Sequence, residues 1–224
     1  MSIASRIAIL KNKLPENVKL IAVSKFHPAE TILEAYGAGL RAFGESRAQE
    51  LMAKQKLLPD DIEWHFIGSL QKNKVKDLAP FVHTIHSVDS LALLQEINKQ
   101  AGKHARVIRV LLEIHIAREE SKHGFRPQAC KDMLANEDLA AYPNIRIVGL
   151  MGMATFTDDK EAVRKEFRTL HRLLKEWKLF YFEDEPCFTE LSMGMTADYE
   201  IAIDEGSTMV RIGSYIFGER IQSK

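Results

Sequence analysis

Short apolar runs alternate with longer stretches of helical period from one end of the chain to the other, and this alternation constrains the fold more than any single motif. Strand-like runs fall at residues 18–24, 41–44, 62–67, 82–86, 106–116, 145–151, 188–192 and 208–212. Between them, helical spacing covers 29–38, 45–57, 71–79, 87–100, 127–135, 158–178 and 197–204. Residues 3–14 form an extra helix ahead of the first strand. Ser87 or Asp89 is the expected cap of the helix over 87–100, and Thr196 of the helix over 197–204.

Strands that each return through a helix pair in parallel. About eight such units predict an α/β fold, a single (β/α)8 TIM barrel with the added N-terminal helix. A doubly wound sheet is the competing arrangement, disfavoured by the lack of a glycine-rich first turn. A chain of 224 residues fits one such domain and leaves little for a second. No Pro/Gly/Ser-rich linker interrupts it, so one domain over 1–224 is expected.

Charge narrows the partners. The 31 Lys and Arg residues balance 31 Asp and Glu, and a dedicated nucleic-acid or anionic-membrane binder carries a basic excess. Cys130 and Cys187 stand far apart, outside any CxxC, which argues against a disulfide framework or a cysteine-zinc site and for a cytoplasmic setting. Residues 1–13 are basic and amphipathic without the apolar core of a signal peptide, and no stretch approaches the roughly 20 apolar residues of a membrane span.

In such a barrel chemistry sits where strands end, and Lys25, Gly44, Gly68, Met153, Ser192 and Gly213 all fall at those ends. An amine after the first strand, with hydroxyl and glycine turns after the last two, suits a phosphorylated aldehyde held as a Schiff base. Ser192 and the Gly213–Ser214 backbone are the expected phosphate ligands. Lysine titrates near pH ~10.4, so condensation needs its proton removed; burial and a nearby cation such as Arg211 favour that. His65 reads either as a pocket-lining residue or as a hydrogen-bonded core histidine. His83 and His86 have a metal-like spacing, but positions three apart on a strand face opposite sides, so no metal set is expected. Lys72, Lys74 and Lys76 read as a solvated helix face or as a guide to the pocket mouth.

The segments AVSKFHP, FGESRAQE, EWHFIGSLQKNK, ESKHG, GLMGM, LSMGMTADYEIAI and GSTMVRIGSYIFGER resemble those of the pyridoxal phosphate homeostasis proteins, a family similar to the N-terminal barrel of bacterial alanine racemase. The resemblance implies pyridoxal 5'-phosphate (PLP) held as a Schiff base on Lys25, phosphate on Ser192, Gly213 and Ser214, and Arg211 facing the pyridine nitrogen. Ser46, His65, Met153, Met193 and Gly194 are further pocket candidates. Two positions depart from the family pattern: Ser46 stands where GEN has its asparagine, and Phe26 follows the lysine where threonine is common.

An arginine keeps its proton, so a ring nitrogen facing it accepts a hydrogen bond and stays unprotonated, a weaker electron sink than a pyridinium. The racemase's second acid/base is a tyrosine from another domain, which is not expected here. The leading expectation is therefore a monomeric carrier or reservoir of vitamin B6 that serves PLP-dependent apo-enzymes. A small racemase using Lys25 as a base and a class I aldolase-like barrel whose Lys25 attacks a sugar phosphate are the rivals.

Overall fold

The computed structural model describes residues 1–119 and 123–218. Eight parallel strands close into a barrel in sequence order: β1 Lys19–Val23, β2 Ala42–Glu45, β3 Glu63–Phe66, β4 Thr84–Val88, β5 Ile108–Glu113, β6 Ile145–Met151, β7 Glu190–Met195 and β8 Met209–Ile212. The barrel closes where β1 pairs with β8, Ile21 opposite Arg211 and Ala22 opposite Ile212.

The helix α1 (Ile3–Lys13) precedes the barrel, its first turn capped by the Ser2 hydroxyl, which accepts from the Ser5 amide at 3.2 Å. The crossover helices are α2 (Ala29–Gly37), α3 (Ala48–Gln55), α4 (Lys72–Leu78), α5 (Leu91–Lys103), α6 (Pro127–Asn136), α7 (Lys160–Tyr181) and α8 (Tyr199–Asp204). The short α9 (Ser214–Phe217) follows β8 directly. None of the described helices is long and apolar enough to cross a membrane.

Alternation along the strands divides the core in two. Ala22, Phe43, Phe66, Val110 and Leu150 pack outward against the helices in one large cluster. Ile21, Ala42, Leu111, Val148, Met151 and Met209 form a smaller cluster inside the barrel. The lumen holds more than this apolar plug: His65, His86, Ser192 and Arg211 are also buried.

Local hydrogen bonds move several expected boundaries. Val82 donates its amide to Leu78 O, so the chain is still leaving α4 there and β4 starts at Thr84. Arg106 donates its amide to Ala101 O, which delays β5 to Ile108. Ser90, not Ser87 or Asp89, occupies the cap position of α5, because β4 continues to Val88. Likewise β7 runs on to Met195, and α8 starts after Asp198 rather than after Thr196.

Candidate functional site

A cavity of about 360 Å³ opens at the end of the barrel to which the strand C-termini point. Val23, Lys25 and His27 reach it from the β1 end, Ser46 from the β2 end and Ile67 from the β3 end. Met153 follows β6, Thr196 and Ala197 follow β7, and Arg211, Gly213 and Ser214 close it from β8 and α9. Seven segments thus converge on one space, as the fold's polarity requires.

The lysine sits on a held turn. Phe26, next in sequence, has φ +68°, a left-handed conformation that costs a bulky residue free energy. Its amide donates to Glu50 Oε1 at 2.6 Å, and the Arg47 guanidinium lies over its ring. Glu50 is in turn bound by Lys54, whose ammonium also donates to Glu45 Oε1 at 2.7 Å and to the Ser24 carbonyl at 2.9 Å. Ser24 donates its hydroxyl to the same Glu45 oxygen at 2.6 Å. Lys54 and Glu45 are both buried, so this ion network, anchored on α3 and β2, fixes the backbone on either side of Lys25. Burial raises the Glu45 carboxyl above its usual range, against the pull of Lys54.

Beneath the cavity a column of polar groups fills the lumen. Arg211 donates from Nη1 to Ser192 Oγ at 2.6 Å and from Nη2 to the Gly152 carbonyl at 3.1 Å. Burial lowers its guanidinium to about 10, still protonated at neutral pH, with Asp198 and Glu113 opposing the fall. His86 Nδ1 lies 2.9 Å from the same Ser192 oxygen, and His86 Nε2 lies 2.8 Å from His65 Nδ1. Burial depresses both imidazoles, His65 to about 4, so both are neutral and each carries one ring proton. Glu113, at the end of β5, is pushed up to about 7 by burial and by Asp89, with Arg211 pulling the other way.

The structure brings Lys25, Ser46, Met153, Arg211, Gly213 and Ser214 together at the cavity wall. Ser192 lies elsewhere: it is fully buried, its hydroxyl shared between Arg211 and His86, and it is absent from the lining. Met193 packs outward into the large core, and Gly194 (φ +94°) lets α8 approach β7, where an added Cβ would stand 2.6 Å from Ala202 Cβ. His65 belongs to the column below the cavity and not to its wall.

Thr196 is the lining residue that sequence reasoning assigned to a helix cap. Its Oγ1 lies 3.2 Å from Ser214 Oγ, so two hydroxyls bridge the loops after β7 and β8. The signal for it is a hydroxyl directly after a strand end in an SMGMT run, legible only once β7 is known to reach Met195. Gly213 is needed for close approach, since a Cβ there would lie 2.9 Å from the Val23 carbonyl oxygen. Lys72 and Lys76 are exposed on α4 and Lys74 lies 4.0 Å from Asp77, outside the cavity wall. In the loop after β5, Ser121 and Lys122 lie outside the described residues.

The profile of the alanine racemase N-terminal domain family matches residues 1–221. The pyridoxal phosphate homeostasis protein of Aquifex aeolicus is 44% identical over 203 residues, covering 90% of this chain and 87% of that protein. This chain belongs to the pyridoxal phosphate homeostasis family. The human member is 41% identical over 219 residues, covering 92% of this chain and 78% of that protein. Among solved structures of the family, PipY of Synechococcus elongatus PCC7942 with PLP bound superposes with a TM-score of 0.88 at 37% identity, covering 97% of this chain and 100% of that one. Alanine racemase of Clostridium difficile 630 shares the barrel, with a TM-score of 0.77 at 17% identity and 58% of that chain covered.

Proposed function

We infer that this chain holds PLP as a Schiff base on Lys25 and acts in the cytoplasm as a carrier or reservoir of the cofactor. The observation that carries the reading is the convergence of Lys25, Arg211, Thr196, Gly213 and Ser214 on one cavity. The family name and the PLP-bound PipY support the choice of cofactor. PLP supplies an aldehyde for an amine, a ring nitrogen for a donor and a phosphate for a nest of hydroxyls and amides.

Each need has a residue. Lys25 supplies the amine, losing its proton before attack and water on condensation. Thr196 and Ser214 supply paired hydroxyls where α9 begins, and Gly213 brings the backbone close without a side chain, as in the phosphate sites of many barrels. This assigns the phosphate to Thr196, Gly213 and Ser214, with Ser192 acting through Arg211. Arg211 keeps N–H groups beyond the two already engaged and stays protonated, so the ring nitrogen opposite accepts a bond and remains unprotonated.

A neutral ring withdraws electrons weakly, which favours holding and exchanging the cofactor over turning over an amino acid. The described lining includes no carboxylate and no phenol to serve as a second acid/base across the ring. Exchange needs only an incoming amine, such as the lysine of an apo-enzyme, to displace Lys25.

PLP titration with absorbance detection tests the binding claim. A visible band is expected in the wild type and absent in Lys25→Ala. Transfer to a PLP-dependent apo-enzyme, followed by the recovery of its activity, tests the carrier role. Turnover of D- or L-amino acids abolished by Lys25→Ala would instead establish a racemase.

A further inference from the structure

The other end of the lumen carries a second cluster that the cofactor reading leaves unused. Glu63, His65 and His83 each present one ligand atom there, all within 4.8 Å of one another. His65 Nε2 is buried and has no hydrogen-bond partner; Glu63 Oε2 lies 3.8 Å away. A fully buried imidazole nitrogen without a partner is costly, and here it points into a cluster of metal-ligating groups.

We propose that Glu63, His65 and His83 form a binding site for a divalent transition metal of the zinc class at the end of the barrel where the strands begin. Three protein ligands, two imidazoles and a carboxylate, leave a fourth position for water, a familiar zinc set. Tetrahedral bonds near 2.0–2.1 Å place ligand atoms roughly 3.4 Å apart, so small rotamer shifts would close the cluster. Imidazole ligands select zinc-like metals over magnesium or calcium, which prefer all-oxygen sites.

The surroundings of both imidazoles are those of ligands. His83 Nδ1 lies 2.8 Å from Thr84 Oγ1, which leaves Nε2 for the metal. His65 Nδ1 is oriented by His86, which leaves its Nε2 likewise. Such second hydrogen bonds are the usual mark of a ligating histidine. His86 takes no part as a ligand, since both its ring nitrogens are engaged.

Cations stand against the site and set its sensitivity. Lys19 is hydrogen-bonded to Glu63 Oε2 and so competes with a metal for that carboxylate. Arg109, paired with Glu190 at 3.2 Å, and Arg106, bound to the Ala79 and Val82 carbonyls, add positive charge nearby. A metal must displace the Lys19 ammonium from the carboxylate.

Metal binding would also fix the direction of the polar column. A metal on His65 Nε2 puts the ring proton on Nδ1, which donates to His86 Nε2. His86 then carries its proton on Nδ1 and donates to Ser192 Oγ, the oxygen that also accepts from Arg211. The metal end of the lumen thereby sets the hydrogen bonding beneath the cofactor cavity.

Isothermal titration of chelator-treated protein with ZnCl2, repeated with CoCl2 by visible absorbance, tests the site. One equivalent is expected to bind the wild type. Glu63 and His83 are half-buried at strand ends, so Glu63→Gln and His83→Ala fold, and each should weaken binding at least about tenfold. Lys19→Met removes the competitor and should tighten binding. In zinc-loaded protein, ring-nitrogen NMR should place the protons of His65 and His86 on Nδ1. No saturable uptake, uptake that neither Glu63→Gln nor His83→Ala weakens, uptake that Lys19→Met weakens, or a proton on His65 Nε2 in loaded protein would overturn the proposal.

Discussion

Replacing Lys54 with methionine should be among the most damaging single changes outside the cavity. Its ammonium lies 2.6–2.9 Å from Glu50 Oε1, Glu45 Oε1 and the Ser24 carbonyl. Glu45 is fully buried, and its Oε2 already lacks a partner. Removing the cation leaves a buried carboxylate with only the Ser24 hydroxyl, and breaking a buried pair in this way costs about 3–5 kcal/mol. With a urea m-value of about 2–3 kcal/mol/M, the unfolding midpoint falls by roughly 1–2.5 M.

The loss should depend on pH. Glu45 already has a raised folded pKa, and without Lys54 it rises further. A carboxyl whose folded pKa exceeds its unfolded value binds more protons in the folded state, so its contribution to stability falls as pH rises through that window. The difference between wild type and Lys54→Met should therefore be largest at pH 8 and shrink towards pH 5. Urea unfolding of both proteins at several pH values measures it, and the double variant Lys54→Met/Glu45→Leu should recover much of the loss. A loss below about 1 kcal/mol, or one that does not change with pH, would mean that Lys54 does not offset a buried Glu45 charge.

Other changes test the cavity and the column. Gly213→Ala puts a Cβ 2.9 Å from the Val23 carbonyl and should weaken PLP uptake severalfold in a spectrophotometric titration, with the barrel still folded by circular dichroism. Ser192→Ala removes the acceptor for Arg211 Nη1 and the partner of His86 Nδ1, and should cost about 1–3 kcal/mol in chemical denaturation. Glu113, raised to about 7, favours its protonated form in the fold, so stability attributable to it is lost as pH climbs from about 4.5 through 7. Glu113→Gln should accordingly be more stable relative to wild type at pH 8 than at pH 5 in thermal melts.

The barrel was legible because its signal is repeated. Each apolar run recurs with a helix behind it, and β6 falls at Ile145–Met151 as the pattern predicts. Strand ends were less legible, because they are decided by bonds between distant residues, as where Arg106 returns to Ala101 O and delays β5. The position of Lys25 after β1 could be read from the sequence, but the support of its turn could not. Nothing in local pattern says that Lys54, on the next helix, turns inward to Ser24 and Glu45.

The same limit explains which hydroxyl after β7 lines the cavity. Ser192 and Thr196 are four positions apart on one segment, and which of them faces the cavity depends on where β7 ends. Closure of the barrel then decides what lies under Arg211: His86 and Ser192, 106 residues apart in sequence, meet there. The cluster of Glu63, His65 and His83 escaped for a related reason. Its members belong to two neighbouring strand regions, and the only histidine spacing visible along the chain, His83 with His86, argues against a metal set; both His86 nitrogens are engaged.

The most direct test of the central claim is borohydride reduction of the PLP-loaded protein followed by peptide mass mapping. One reduced pyridoxyl adduct, on Lys25, is expected, with loss of the visible band. An adduct on another lysine, with Lys25 unmodified, would contradict it.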